Sequence, residues 1–199
     1  MIYICGDSFA VPDPDYGPCW VDLLSNKIKK PITNLSRVCA SNALISMQVD
    51  SINDADFVIV LFTSSSRFET RLNGKIVPYS IKSLDNTTPF NKRQLELLRH
   101  HTAEFFDLDL EIFRNKCIIE ATLFNLQHKK IPFLFDQGGF EHSSYGVVKK
   151  YFENFDQFRS KYNLWDYPNT RVYRPYYHIT DIKIHEQISD YYAEILNEV

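Results

Sequence analysis

The chain has 199 residues, 44% hydrophobic, 15% aromatic and 24% charged, a mix that suits one globular domain with a core sufficient to fold without disulfides or a structural metal. Its net charge of −3 argues against the basic footprint of a general nucleic-acid binder. No run approaches about 18 uninterrupted apolar residues, so no transmembrane helix is expected, and Met1 to Asp7 lacks the basic and long apolar regions of a secretory signal.

A cytoplasmic location follows as the expectation. Cys5, Cys19, Cys39 and Cys117 are widely spaced and form no CxxC pair, which fits reduced thiols rather than a zinc ribbon or a disulfide framework.

Short apolar runs alternate with longer amphipathic stretches, the pattern of βαβ units. Ile2 to Cys5 is expected as a first strand buried on both faces. A helix follows from Trp20 to Lys29, with Trp20, Leu23, Leu24 and Ile28 on one stripe, and Pro31 ends it. Ile32 to Leu35 is a short second strand and Ser41 to Ser51 a second helix. Asp56 to Thr63 is an unbroken apolar strand stopped by three serines. Residues 64–92 form an irregular excursion punctuated by Gly74, Pro78, Asn86 and Pro89, with a hairpin expected around Asn73-Gly74. Residues 91–128 are helical, as two helices. Ile131 to Phe135 is a fourth strand, Gly138-Gly139 a turn, Tyr145 to Tyr162 a helix, Arg171 to Tyr173 a fifth strand and Ile182 to Leu196 a closing helix. Thr180 is placed to cap that helix, and Asp181 to complement its dipole.

These elements predict one α/β domain over residues 1–199: a three-layer α/β/α arrangement on a mainly parallel five-stranded sheet. In such sheets ligands bind at the carboxyl ends of the strands. The loops to inspect are therefore 6–10, 36–42, 63–69, 136–142 and 174–180. In the first of them, Gly6-Asp7-Ser8-Phe9-Ala10, a serine on a tight turn out of a buried strand can present its hydroxyl at the sheet edge, beside backbone N–H groups able to hold an oxyanion. The same three residue types are also ordinary turn formers.

Ile4-Cys5-Gly6-Asp7-Ser8-Phe9 resembles the first block of the GDSL/SGNH hydrolases, serine esterases built on a three-layer α/β fold. That resemblance implies Ser8 as nucleophile, with Asp7 beside it at the oxyanion and substrate site. Asn34-Leu35-Ser36-Arg37-Val38-Cys39-Ala40-Ser41-Asn42 is similar to the second block. There the resemblance gives Cys39 or Ala40 the place of an oxyanion-hole glycine, and has Asn42 open the next helix at the oxyanion and substrate site. At the third block Phe62-Thr63-Ser64-Ser65-Ser66-Arg67-Phe68 stands where the family has Gly-x-Asn-Asp. Ser64 takes the asparagine's place with Ser65 beside it, and Arg67 can supply positive charge. This run resembles a bacteriophage branch of SGNH-like proteins, which implies a virus-encoded protein made in a host cytoplasm. His178-Ile179-Thr180 matches half of the last block, making His178 the general base. The block's aspartate is absent, since Pro175 stands three residues before His178. The implied triad reduces to a Ser8–His178 dyad, or its orienting group is Asp166 or a backbone carbonyl.

The expected activity is that of a serine esterase or acylhydrolase on an acylated carbohydrate or other small ester. Tyr167, Tyr173, Tyr176 and Tyr177 are candidate pocket walls. No metal, cofactor, nucleic acid or membrane partner is expected. The alternative is a catalytically inactive SGNH-like binding or virion component, which the missing asparagine and aspartate favour. His185 adjoins the apolar stripe of the closing helix and is expected as a partly buried boundary residue near Asp181, while His100 and His101 are expected in solvent.

Overall fold

An apolar run with no polar face must be covered from both sides, and this requirement sets the layers. The computed structural model describes residues 1–12, 17–80, 89–136, 155, 157–158, 179 and 181–198. In it β1 (Ile2–Cys5), β2 (Ile32–Asn34), β3 (Phe57–Leu61) and β6 (Phe133–Asp136) form a parallel sheet in the order β2-β1-β3-β6. Ile2 is in register with Ile32 and Phe57, and Val58 with Phe133. All five residues of β3 are buried. Phe57, Ile59 and Leu61 enter one core layer with Ile2, Ile4, α1 (Trp20–Lys27) and α5 (Ile182–Glu198). Val58, Val60 and Phe62 enter the other with Cys5, α2 (Asn42–Asp50) and α4 (Leu108–His128). Helices thus flank both faces of a mainly parallel sheet, as the alternating pattern predicts. Four parallel strands are described rather than five: the strand expected at Arg171 to Tyr173 lies outside the described residues, as do the Gly138-Gly139 turn, the Tyr145 to Tyr162 helix and Thr180.

The excursion is more regular than expected. β4 (Arg67–Leu72) and β5 (Lys75–Ser80) form an antiparallel hairpin, with Leu72 opposite Lys75. Asn73 and Gly74 both hold positive φ, 49° and 79°, the signature of a type I′ turn whose twist matches the strands. Phe68 and Tyr79 meet across the hairpin, and Tyr79 stands edge-on to Phe90. α3 (Lys92–Phe105) then begins at Asn91 in a reciprocal capping box with Gln94, so the helical stretch divides in two as read. β1 gives way to the following loop at Gly6, where a β-carbon would meet the Leu61 side chain at 2.9 Å. The close approach of β1 to β3 therefore requires a glycine there.

α5 holds the described end of the chain against α1. Trp20 and Tyr192, both fully buried, pack with ring centroids 5.0 Å apart and planes tilted by 30°. Asp181, rather than lying in the first turn, precedes the helix and caps it, its Oδ1 accepting the Lys183 N–H at 2.9 Å. His185 is buried, but its ring does not pair with Asp181. Its Nδ1 accepts the Trp20 N–H at 3.1 Å, and Nε2 lies 3.1 Å from the Ile179 carbonyl, which makes Nε2 the protonated nitrogen. Burial lowers its pKa from 6.5, outweighing the opposing pull of the Ile179 carbonyl, Asp181 and Asp22. The unfolded chain consequently binds a proton that the folded chain refuses. Stability is complete above about pH 6.5 and falls as pH drops from there toward the lower folded pKa. A urea midpoint lower at about pH 5.5 than at about pH 7.5 is expected, with the loss much reduced in His185→Gln. Equal acid losses in the two proteins would rule out this coupling.

Candidate functional site

The strand order alone locates a site. The chain steps from β1 outward to β2, then returns to place β3 on the other side of β1, so the topological switch point lies between β1 and β3. Crevices at such points, outside the carboxyl ends of the strands, are where open α/β sheets bind ligands. The residues that follow β1 and β3 are Gly6-Asp7-Ser8 and Phe62-Thr63-Ser64.

Asp7 is fully buried and caps a 3-10 turn, Ser8–Ala10. Its Oδ1 accepts the Phe9 N–H at 3.0 Å. Its Oδ2 accepts the Thr63 hydroxyl at 2.8 Å and lies 3.5 Å from Arg67 Nη1. Burial of a carboxylate is tolerable only when it is paired and hydrogen-bonded, and Asp7 is both. Arg67, at the start of β4, is held by the same contact, its side chain 10% exposed. The positive charge expected near an oxyanion thus faces Asp7, across the switch point.

Ser8 opens the 3-10 turn and is 6% exposed. Its hydroxyl and its N–H make no hydrogen bond to a described residue, whereas the next two N–H groups, of Phe9 and Ala10, return to Asp7. The turn is fastened from outside: Trp20 Nε1 donates to the Phe9 carbonyl at 2.8 Å, and Asn34 Nδ2 to the Ala10 carbonyl at 2.6 Å.

The second loop lies alongside, since the Arg37 N–H donates to the Gly6 carbonyl at 3.1 Å. Cys39 has φ of 61°, a left-handed conformation that favours glycine, at the position where the family's glycine is expected. The choice between Cys39 and Ala40 as oxyanion donor is narrowed by bonding. The Ala40 N–H is spent on the Arg37 carbonyl at 3.2 Å, while the Cys39 N–H is given to no described residue.

Asn42 opens α2, as expected. Its carboxamide pairs with the backbone of Thr63, Nδ2 donating to the carbonyl at 2.9 Å and Oδ1 accepting the N–H at 2.8 Å. The other Nδ2 proton goes to Asn115 Oδ1 at 2.7 Å. Both amide protons are used, and none remains for a substrate oxyanion. Gln48, also on α2, grips Gly6 likewise, through its N–H at 2.8 Å and its carbonyl at 3.2 Å. Two carboxamides of one helix therefore fix the first residue beyond β1 and the second beyond β3. Thr63 and Gln48 are not legible as site-shaping residues from sequence: the pairings link positions 42 residues apart for Gly6–Gln48 and 56 for Asp7–Thr63, and no local pattern encodes them.

Ser64 is turned toward Ser66, with Oγ atoms 2.8 Å apart, and accepts the Ser66 N–H at 3.2 Å. Ser65 lies half-buried in the same turn. Ser41, the N-cap of α2, donates to Glu69 of β4, which ties the hairpin to the site. Asp136, buried at the end of β6, adds a second carboxylate at this edge of the sheet. His178, with Asp166 and the four candidate tyrosines, lies outside the described residues. Among the described residues no group of three or more His, Cys, Asp or Glu side chains is arranged to hold a metal. Burial pushes the Cys5 thiol up to about 12 and the Cys19 thiol up to about 11, so neither is a thiolate nucleophile at neutral pH.

Comparison with protein-family models, curated proteins and solved structures returned no match. Any functional reading rests on the site itself. None of the described helices is long and apolar enough to cross a membrane.

Proposed function

We propose that the chain is an SGNH-like serine esterase or acylhydrolase that acts on an acylated carbohydrate or other small ester. One observation carries this reading. At the β1/β3 switch point stands a serine whose hydroxyl and N–H are both uncommitted among the described residues, on a turn fixed by a buried Asp7. In the reaction Ser8 Oγ attacks the ester carbonyl while His178 takes its proton. The negative charge that develops on the carbonyl oxygen is met by the Ser8 and Cys39 N–H groups. Collapse expels the alcohol, protonated by His178, and water repeats the cycle on the acyl-enzyme. The Asp7–Arg67–Thr63 cluster supports the turn and takes no part in proton transfer. The bacteriophage branch and a host cytoplasm belong to the same proposal.

A second reading has its own support. Asn42 is fully engaged and Arg67 faces Asp7, so neither side chain is presented as an oxyanion donor, which suits an inactive binding or virion component. A fluorophosphonate probe separates the two. Displacement of fluoride by Ser8 Oγ should label the wild type, and labelling should fall by about 10³-fold or more in both Ser8→Ala and His178→Ala. A folded wild type that stays unlabelled would establish the binding reading instead.

A further inference from the structure

Two side chains of opposite charge leave one face of β4 and end on the two loops of the site. Arg67 and Glu69 are two residues apart in a strand, so they share that face. Arg67 Nη1 lies 3.5 Å from Asp7 Oδ2, in the first loop. The Glu69 carboxylate accepts the hydroxyl proton of Ser41, at the end of the second. Ser41 is doubly tied, because its Oγ also accepts the Leu44 N–H at 3.2 Å in capping α2. Two residues before it stands Cys39, whose φ of 61° is uncommon for a residue with a β-carbon and persists only where its surroundings hold it. The loop is held ahead of Cys39 by Arg37, whose N–H reaches the Gly6 carbonyl at 3.1 Å. Behind Cys39 it is held by Ser41 on Glu69 and by Asn42 on Thr63.

Resting on the serine-esterase reading, we propose that Glu69 is a positioning residue for the Cys39 N–H, and that β4 sets the distance between the two oxyanion donors. Asp7 places the Ser8 turn and Ser41 steadies the Cys39 loop, so Arg67 and Glu69 fix one donor each from a common strand. That arrangement works only on a rigid hairpin. The type I′ turn at Asn73-Gly74 fixes its register, and Phe68 and Tyr79, in contact across it, stand edge-on to Phe106 and Phe90. A displaced donor stabilises the oxyanion less while leaving binding of the neutral ester nearly as it was. Glu69 acts through Ser41 and the backbone, not on a reacting atom.

Fluorophosphonate labelling over a range of probe concentrations separates binding from reaction. Glu69 is exposed, so its variants should fold. In Glu69→Ala the limiting labelling rate should fall about 10-fold, with the half-saturating probe concentration changed by less than about 2-fold. Glu69→Gln keeps a carbonyl oxygen for the Ser41 hydroxyl and should retain most of the wild-type rate. Arg71→Ala, two residues further along the same face and bonded to the Gly74 carbonyl at 3.1 Å, should leave both quantities at the wild-type level. Hydrogen exchange reads the loop without any reaction: the Ala40 amide, bonded to the Arg37 carbonyl, should exchange faster in Glu69→Ala and not in Glu69→Gln. A labelled wild type matched in rate by Glu69→Ala would overturn this proposal alone. So would a Glu69→Ala protein that labels slowly while its Ala40 amide exchanges at the wild-type rate, since the effect would not pass through the loop. A wild type that takes no label would remove the esterase reading, and this role of Glu69 with it.

Discussion

Asp7→Ala is expected to destabilise the protein by about 3–5 kcal/mol, the cost of removing one partner from a buried ion pair. The carboxylate is fully buried and serves three groups: the Phe9 N–H, the Thr63 hydroxyl and the Arg67 guanidinium. Alanine leaves a 3-10 turn without its cap and takes away the carboxylate that faces a nearly buried guanidinium. Asp7→Asn keeps the shape and the acceptor for Phe9 but gives up the charge opposite Arg67, so its cost should be smaller, about 1–3 kcal/mol. Because the groups touch, the effects should not add: Asp7→Ala combined with Arg67→Met should cost less than the sum of the two single changes. Urea denaturation of the four proteins measures this cycle. Additive energies, or an Asp7→Ala midpoint equal to that of the wild type, would show that the cluster does not brace the turn.

The same cluster shows where the sequence stops being informative. β1 and β3 are legible because burial on both faces leaves unbroken apolar runs. The Asn73-Gly74 turn is legible because those residue types accept positive φ at both positions. His185 is legible as a boundary residue because it adjoins the stripe of α5, although its partners, Trp20 and Ile179, are not readable from helical spacing. The site is legible only as positions. Ser8 and Cys39 fall where strand ends predict them, but which side chains remain available is settled by partners far away in the chain. Arg67 reads from sequence as positive charge for an oxyanion and becomes the counter-ion of Asp7 once β3 lies beside β1. Asn42 reads as a helix opener at the oxyanion and substrate site, and nothing local shows that its amide is consumed by Thr63 and Asn115. Local pattern specifies secondary structure and the edge of the sheet, while the bonding inventory there is a tertiary property.

Asn42→Leu tests that last distinction, and its expected cost is about 2–4 kcal/mol. Leucine fills a comparable space but leaves the buried N–H and carbonyl of Thr63 without partners, at roughly 1–3 kcal/mol for each unmet group. Asn115 keeps its own bond to the Glu111 carbonyl at 2.8 Å, so the damage should concentrate at Thr63. Hydrogen exchange of the Thr63 amide should accelerate more than that of Val60, which remains inside the sheet. Asn42→Asp retains the acceptor for the Thr63 N–H but loses both donors and buries a charge. It should be at least as damaging at neutral pH and should recover partly in acid, where the protonated carboxyl can again donate to the Thr63 carbonyl. A residue stabilising an oxyanion would behave otherwise, lowering the rate of fluorophosphonate labelling while leaving the urea midpoint in place. If Asn42→Leu slows labelling without loss of stability, Asn42 belongs to the reacting site after all; if stability and Thr63 protection fall together, its role is to hold the end of β3 where Ser8 requires it.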